Sequence, residues 1–156
     1  MTYISKFHVA EEQLLDAINL YIEGRYYSAS TLAGAAEEIF GRILEHQGKD
    51  SALKEANEFQ NKINEVVNLP KQPIRKTANR LYDLRNNLKH ISPEKTGNSV
   101  LHFRFSPDFQ TSLLRAIHNY QKLKKGRKMK HEIEDKLHEF RQLFWANNKK
   151  DFKKYK

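Results

Sequence analysis

Within RLYDLRNNLKHIS, residues 80 to 92, four side chains suited to handling a phosphate stand close together: Arg85, Asn86, Lys89 and His90. A histidine titrates near neutrality and moves protons at working pH. A guanidinium offers a planar, two-pronged donor to a phosphate that gains charge in a transition state. The chemistry open to such a set is phosphodiester cleavage. Attack by an RNA 2′-hydroxyl needs a base at the nucleophile and an acid at the leaving 5′-oxygen, and one histidine does not easily serve both. Two copies apposed through this segment bring two histidines and two arginines into one cleft, so the mechanism favours a symmetric dimer. Asn86, one turn before His90, is spaced to hydrogen-bond the imidazole or a phosphate oxygen.

The segment has helical periodicity. At about 100° per residue, Leu81, Leu84, Leu88 and Ile91 fall within an arc of roughly 80°, which is the expected buried stripe. Arg85 lies about 80° from the centre of that stripe, and Asn86 and His90 lie nearly opposite it. They rim one polar face, with Lys89, Tyr82 and Asn79 between or beside them. Any basic helix supplies an arginine followed by a histidine at some spacing, so the pattern by itself is a weak signal.

The elements around this helix are legible from apolar spacing and stop signals. A first helix is expected from about Val9 to Glu23, with Leu14, Ile18, Tyr21 and Ile22 inward and Gly24 as its stop. A second helix is capped by Ser28 or Ser30 and ended by Gly48, with an inner stripe of Leu32, Ala36, Ile39 and Ile43. Its slim first half (Ala29, Ala33, Gly34, Ala35) admits another helix closely. A third runs from about Ser51 to Val67 with Leu53, Ala56, Phe59, Ile63 and Val66 in register, until Pro70 and Pro73 break it. The fourth starts near Ile74 and ends by Ile91. SVLHFRF, residues 99 to 105, alternates apolar and polar and predicts an extended strap or a strand paired with another copy. Ser106 and Pro107 open a fifth helix carrying Leu113, Ile117, Tyr120 and Leu123. After Gly126, the stripe Ile133, Leu137, Phe140 and Phe144 predicts a sixth, packed on its own domain or a partner, with fraying beyond Trp145. The expectation is an all-α antiparallel bundle of four to five core helices over residues 1–123, with a basic amphipathic helix and tail over 124–156.

Composition narrows the class. A chain of 156 residues suits one domain, and nine Phe, seven Tyr and one Trp supply core material despite a mean hydropathy of −0.82. With no cysteine, a disulfide framework and a thiolate zinc site are excluded. The first residues lack the apolar core of a signal peptide, and no run approaches a membrane span, so a cytoplasmic, membrane-free protein is expected. The formal charge of +9 is uneven: residues 1–70 are net −5 and residues 71–156 net +14. That asymmetry directs the C-terminal half toward a polyanion, or leaves it a solvated positive face.

RNNLKH on the fourth helix of a small helical chain resembles the R-x4-6-H motif of the HEPN superfamily, in which a polar residue, often Asn, follows the arginine; Asn86 stands there. YYSASTLAGAAEEIFGRIL on the second helix is similar to the small-residue, double-glutamate run of HEPN-like proteins. The resemblance covers residues 9 to 123. It implies a helical bundle and homodimers that join two motifs. It also implies, in many members, metal-independent RNA cleavage by Arg and His, leaving a 2′,3′-cyclic phosphate. Those roles carry over to Arg85 and His90, with Asn86 accompanying and no cofactor. Many members are toxins or defence nucleases, which implies an antitoxin or other protein partner; others are non-catalytic modules that bind RNA or a protein.

Other residues have two readings each. Glu37 and Glu38 either face the cleft and orient Arg85 or His90, or form surface or interhelical ion pairs, the commoner outcome. Ser30 either lines the site or caps its helix. His131, Asp135 and His138 have metal-ligand spacing on one helical face, though in a run of charged neighbours. KLKKGRKMK and KKDFKKYK either grip RNA phosphates, with Trp145, Phe152 and Tyr155 for stacking, or are solvated.

Overall fold

The computed structural model describes residues 3–89, 105–126 and 128–152 of the chain. These form an all-α bundle: α1 Lys6–Ile22, α2 Tyr26–His46, α3 Ala52–Val66, α4 Ile74–Lys89, α5 Phe105–Lys124 and α6 His131–Phe152. No strand occurs among the described residues, and none of their helices is long and apolar enough to cross a membrane. The extended segment expected at 99–105 lies outside the described residues except for Phe105, which already opens α5. Ile91 and the last four residues lie outside them as well.

Local chemistry sets the ends. Ser5 accepts from the Phe7 amide at 3.2 Å and starts α1 three residues before the first apolar repeat. Ser51 accepts from Lys54 in the same way at α3. Three helices close with the paired six-to-one and five-to-two bonds of a Schellman turn. At α1, Arg25 donates to the Leu20 carbonyl and Gly24 to Tyr21; at α2, Lys49 donates to Leu44 and Gly48 to Glu45; at α3, Leu69 donates to Asn64 and Asn68 to Glu65. Gly24 and Gly48 take the left-handed position at φ 78° and 68°, and at the third turn Asn68 does the same at φ 55°. Neither Ser28 nor Ser30 caps α2: that helix begins at Tyr26 without a side-chain cap, which leaves both serines inside it.

Among the described residues, the core belongs to α1, α2, α5 and α6. Leu14, Ile18 and Tyr21, Ala33, Ala36 and Phe40, Leu113, Ala116 and Tyr120, and Ile133, Leu137 and Phe140 form one buried cluster. Phe7 meets Phe40 and Tyr21 meets Tyr26, so α1 and α2 are antiparallel. Gln110 reaches Tyr21 and Tyr120 reaches Glu11, so α5 also runs against α1. α6 follows the direction of α1, bringing Phe140 onto Tyr21 at a centroid distance of 5.2 Å. The stripe on α6 is therefore part of the bundle's main core, and its helix continues to Phe152 where fraying was expected.

Two stripes turn otherwise than apolar spacing suggests. On α2 the buried side chains are slim ones, Ala36 of the expected stripe among them, with Glu37, Phe40 and Leu44, whereas Leu32, Ile39 and Ile43 are half-buried. The physical reason is that α2 lies between α1 and α5, and small residues allow that close double contact. On α3 the expected inner residues Leu53 and Ala56 are half-buried, but Phe59, Ile63 and Val66 are 67%, 42% and 82% exposed. What faces inward there is a row of amides. Asn57 accepts from Thr77 at 2.7 Å and Gln60 from Arg80 at 3.2 Å; Asn61 exchanges two bonds with the Gln72 backbone, and Asn64 donates to the Pro70 carbonyl at 3.1 Å.

Candidate functional site

α4 carries the residues singled out for chemistry, so what holds α4 defines the site. Arg85, Asn86 and Lys89 fall on its second half, with Asn86 exposed; His90 lies outside the described residues. One turn earlier, Tyr82 donates its hydroxyl to Glu37 Oε1 at 3.3 Å. Glu37 is 1% exposed and grips Arg115 of α5 in a two-pronged pair, Nε to Oε1 at 2.8 Å and Nη2 to Oε2 at 3.1 Å. The same guanidinium donates to the Leu81 carbonyl of α4 at 3.4 Å and to Ser112 Oγ at 3.3 Å, and stands 5.7 Å from the centre of the Tyr82 ring. A fixed fork of donors satisfies a planar carboxylate in a way a lysine cannot.

Asn119, one turn after Arg115, completes the junction. It donates to the Glu37 carbonyl at 3.2 Å and accepts from the Ala52 amide at 2.7 Å, binding α5 to α2 and to the start of α3. Above this polar floor is a cleft of about 530 Å³ between α2, the start of α3 and α4, bordered by Glu38, Arg42, Glu45, Lys54, Arg75 and Tyr82. Among the described residues, then, Glu37 is brought to α4 and Glu38 stays exposed at the cleft rim. Glu37 has the interhelical ion pair of the second reading, and it also lines the cleft. Ser30, two turns before Glu37 on the same side of α2, is 1% exposed, and among the described residues its hydroxyl has no hydrogen-bond partner.

Arg115 and Asn119 escape a reading by apolar spacing, because one cation and one amide within LLRAIHNY pass for surface positions. A signal existed in α2. Ser30, Gly34, Glu37 and Gly41 lie at intervals of four, three and four on one slim stripe, and a carboxylate on a stripe that a neighbour covers requires a buried cation.

A second polar junction lies where α5 ends. Tyr120 donates to Glu11 Oε1 at 3.0 Å, and Lys124 reaches the same oxygen at 3.2 Å while covering the Phe7 ring at 5.2 Å. Burial pushes the Tyr120 hydroxyl up to about 12, and Glu11 beside it adds to the rise, so it stays a donor at any physiological pH. An open groove of about 670 Å³ lies here, lined by His8, Glu11, Glu12, Lys124, Lys128 and Lys130. On α6, His131 Nδ1 is 2.7 Å from Asp135, and His138 meets Gln142 at 3.0 Å. Among the described residues no three His, Asp or Glu side chains gather as a metal site.

Fold and site together define a helical bundle with a buried carboxylate–guanidinium junction under its fourth helix. Set beside family models, curated protein sequences and solved structures, the chain matches none.

Proposed function

We propose that the chain is a HEPN-type, metal-independent endoribonuclease. Arg85 stabilises the phosphate, His90 moves the proton, and Asn86 accompanies them at a site completed by a second copy meeting α4. The observation that carries this reading is the RNNLKH spacing, on a helix whose preceding turn is anchored by the Glu37–Arg115 pair through Tyr82 and the Leu81 carbonyl. Anchoring matters because catalytic groups must be held within fractions of an ångström of their working positions. RNA is the substrate and a cytoplasmic toxin or defence role the setting, with a neutralising protein as the further partner.

The test is cleavage of varied RNAs by purified protein in EDTA. Products ending in a 2′,3′-cyclic phosphate are expected, and His90→Ala is expected to abolish them without changing helical content. Undiminished cleavage by His90→Ala removes the assignment. Tight, salt-sensitive RNA binding without cleavage by the wild type places the chain among non-catalytic RNA-binding modules instead.

A further inference from the structure

From Phe59 onward, α3 is turned inside out relative to its own pattern. Taking about 100° per residue, the amides that bind it to α4 and the following link (Asn57, Gln60, Asn61, Asn64) point roughly 140° away from Phe59, Ile63 and Val66. Rolling the helix to bury that stripe would break the hydrogen bonds of all four amides, so among the described residues no helix covers it by that route. Beyond the last turn, Val67 and Leu69 extend the patch, 54% and 57% exposed. The five side chains expose on the order of 500 Å², near the upper end for a monomer's largest apolar patch and well over half of one partner's share of a standard interface.

The charges around the patch select what covers it. Its flank carries Glu58 and Glu65 with Lys62 between them, and Glu55, whose carboxylate is paired by Lys122 and His118 of α5. Like charge turns a nucleic-acid backbone or an anionic membrane away from such a surface. Residues 51–69 as a whole are net −1, in a chain that is +9. A face so near neutrality lets two strongly positive copies approach with little local repulsion. An antiparallel two-fold crossing near Ile63 sets Phe59 of each copy against Val66 and Leu69 of the other, and Lys62 of each opposite Glu65 of the other.

We propose that α3 is a self-association surface through which two copies of the chain pair about a two-fold axis. This contact is separate from the pairing through α4 and stands whether or not the chain cleaves RNA.

The test is sedimentation equilibrium of the full chain over a concentration series, without nucleic acid. The wild type is expected to associate through α3, to a dimer if α4 does not pair and beyond a dimer if it does. The double variant Phe59→Asp, Val66→Asp is expected to raise the dissociation constant of that α3 step about 100-fold or more, with its thermal unfolding curve by circular dichroism retained. Lys62→Glu places like charges together and is expected to weaken the dimer; adding Glu65→Lys restores it, since the swapped pair faces its swapped counterpart. A wild type that remains monomeric throughout overturns the proposal, and so does a dimer indifferent to the Phe59 and Val66 changes. A charge swap that fails to restore pairing overturns the antiparallel arrangement.

Discussion

α3 and α6 are both amphipathic helices with an apolar stripe at intervals of three and four, yet they use it in opposite ways. α6 lays Ile133, Leu137 and Phe140 into the core beside Tyr21, all at most 2% exposed. α3 keeps Phe59 and Val66 in solvent and is held by amides. Periodicity reveals that a helix has two faces, while the neighbours decide which one is buried. α6 meets the apolar flank of α1, so its stripe turns in. α3 meets α4 and the polar backbone of the link at Pro70 and Gln72, so carbonyls and hydroxyls there draw the amides inward.

Removing one large apolar side chain from each helix separates the two. Phe140→Ala empties a packed site against Tyr21 and is expected to lower unfolding free energy by about 3–5 kcal/mol in urea denaturation. Phe59→Ala, at a concentration where the chain is monomeric, is expected to change it by no more than about 0.5 kcal/mol. Equal losses would mean that α3 buries its stripe in the folded monomer.

The second test concerns the junction that ties α4 down. Arg115→Ala strands the Glu37 carboxylate in the interior and is expected to cost about 3 kcal/mol. That is the lower end for a buried pair, because Tyr82 still donates to Glu37 and Arg115 itself is 11% exposed. Glu37→Leu combined with Arg115→Met removes both charges and is expected to recover most of the loss. A double variant no more stable than Arg115→Ala would show that the pair itself, rather than the stranded charge, sets the stability.

These elements also show how far the sequence reaches. The helices of the bundle were legible because Leu14 and Ile18, Leu113 and Ile117, and Ile133 and Leu137 repeat at helical spacing, and Gly24 and Gly48 mark stops. Asn68 in a glycine's conformation was not, since asparagine is ordinary in loops and helices alike. The roles of Asn57, Asn61 and Asn64 depend on backbone groups that only the folded link presents. Glu37 was singled out, but Arg115, its partner 78 positions away, had no local mark. For RNNLKH the sequence supplied the spacing and the structure adds how the turn before it is held; His90 lies outside the described residues.

Asn64→Ala tests the amide face by itself. Asn64 is 3% exposed, accepts from Gln60 at 3.1 Å and donates to the Pro70 carbonyl. Its loss leaves that carbonyl short of a partner and is expected to cost about 1–2 kcal/mol, more than Phe59→Ala on the opposite face. The reverse order, measured by the same denaturation, would restore the conventional picture of an apolar-in helix.

The smallest effect sits where α3 meets α5. Burial works against charge on Glu55, but hydrogen bonds from Lys122 and His118 outweigh it and hold the carboxyl below its ordinary value. A carboxyl depressed by folding binds its proton more weakly in the native state than in the unfolded chain. Its contribution is therefore present above the ordinary carboxylate range, near pH 4, and is lost as pH falls through that range and below. With the side chain 42% exposed, solvent screens the pairs, and Glu55→Gln is expected to cost less than about 1 kcal/mol at neutral pH. The informative reading is the slope: between about pH 5 and pH 3 the variant's stability is expected to fall less steeply than the wild type's. Parallel curves for the two proteins would mean that Lys122 and His118 do not hold the Glu55 carboxylate, leaving α3 attached to the bundle by its amides and by Asn119 at its first turn.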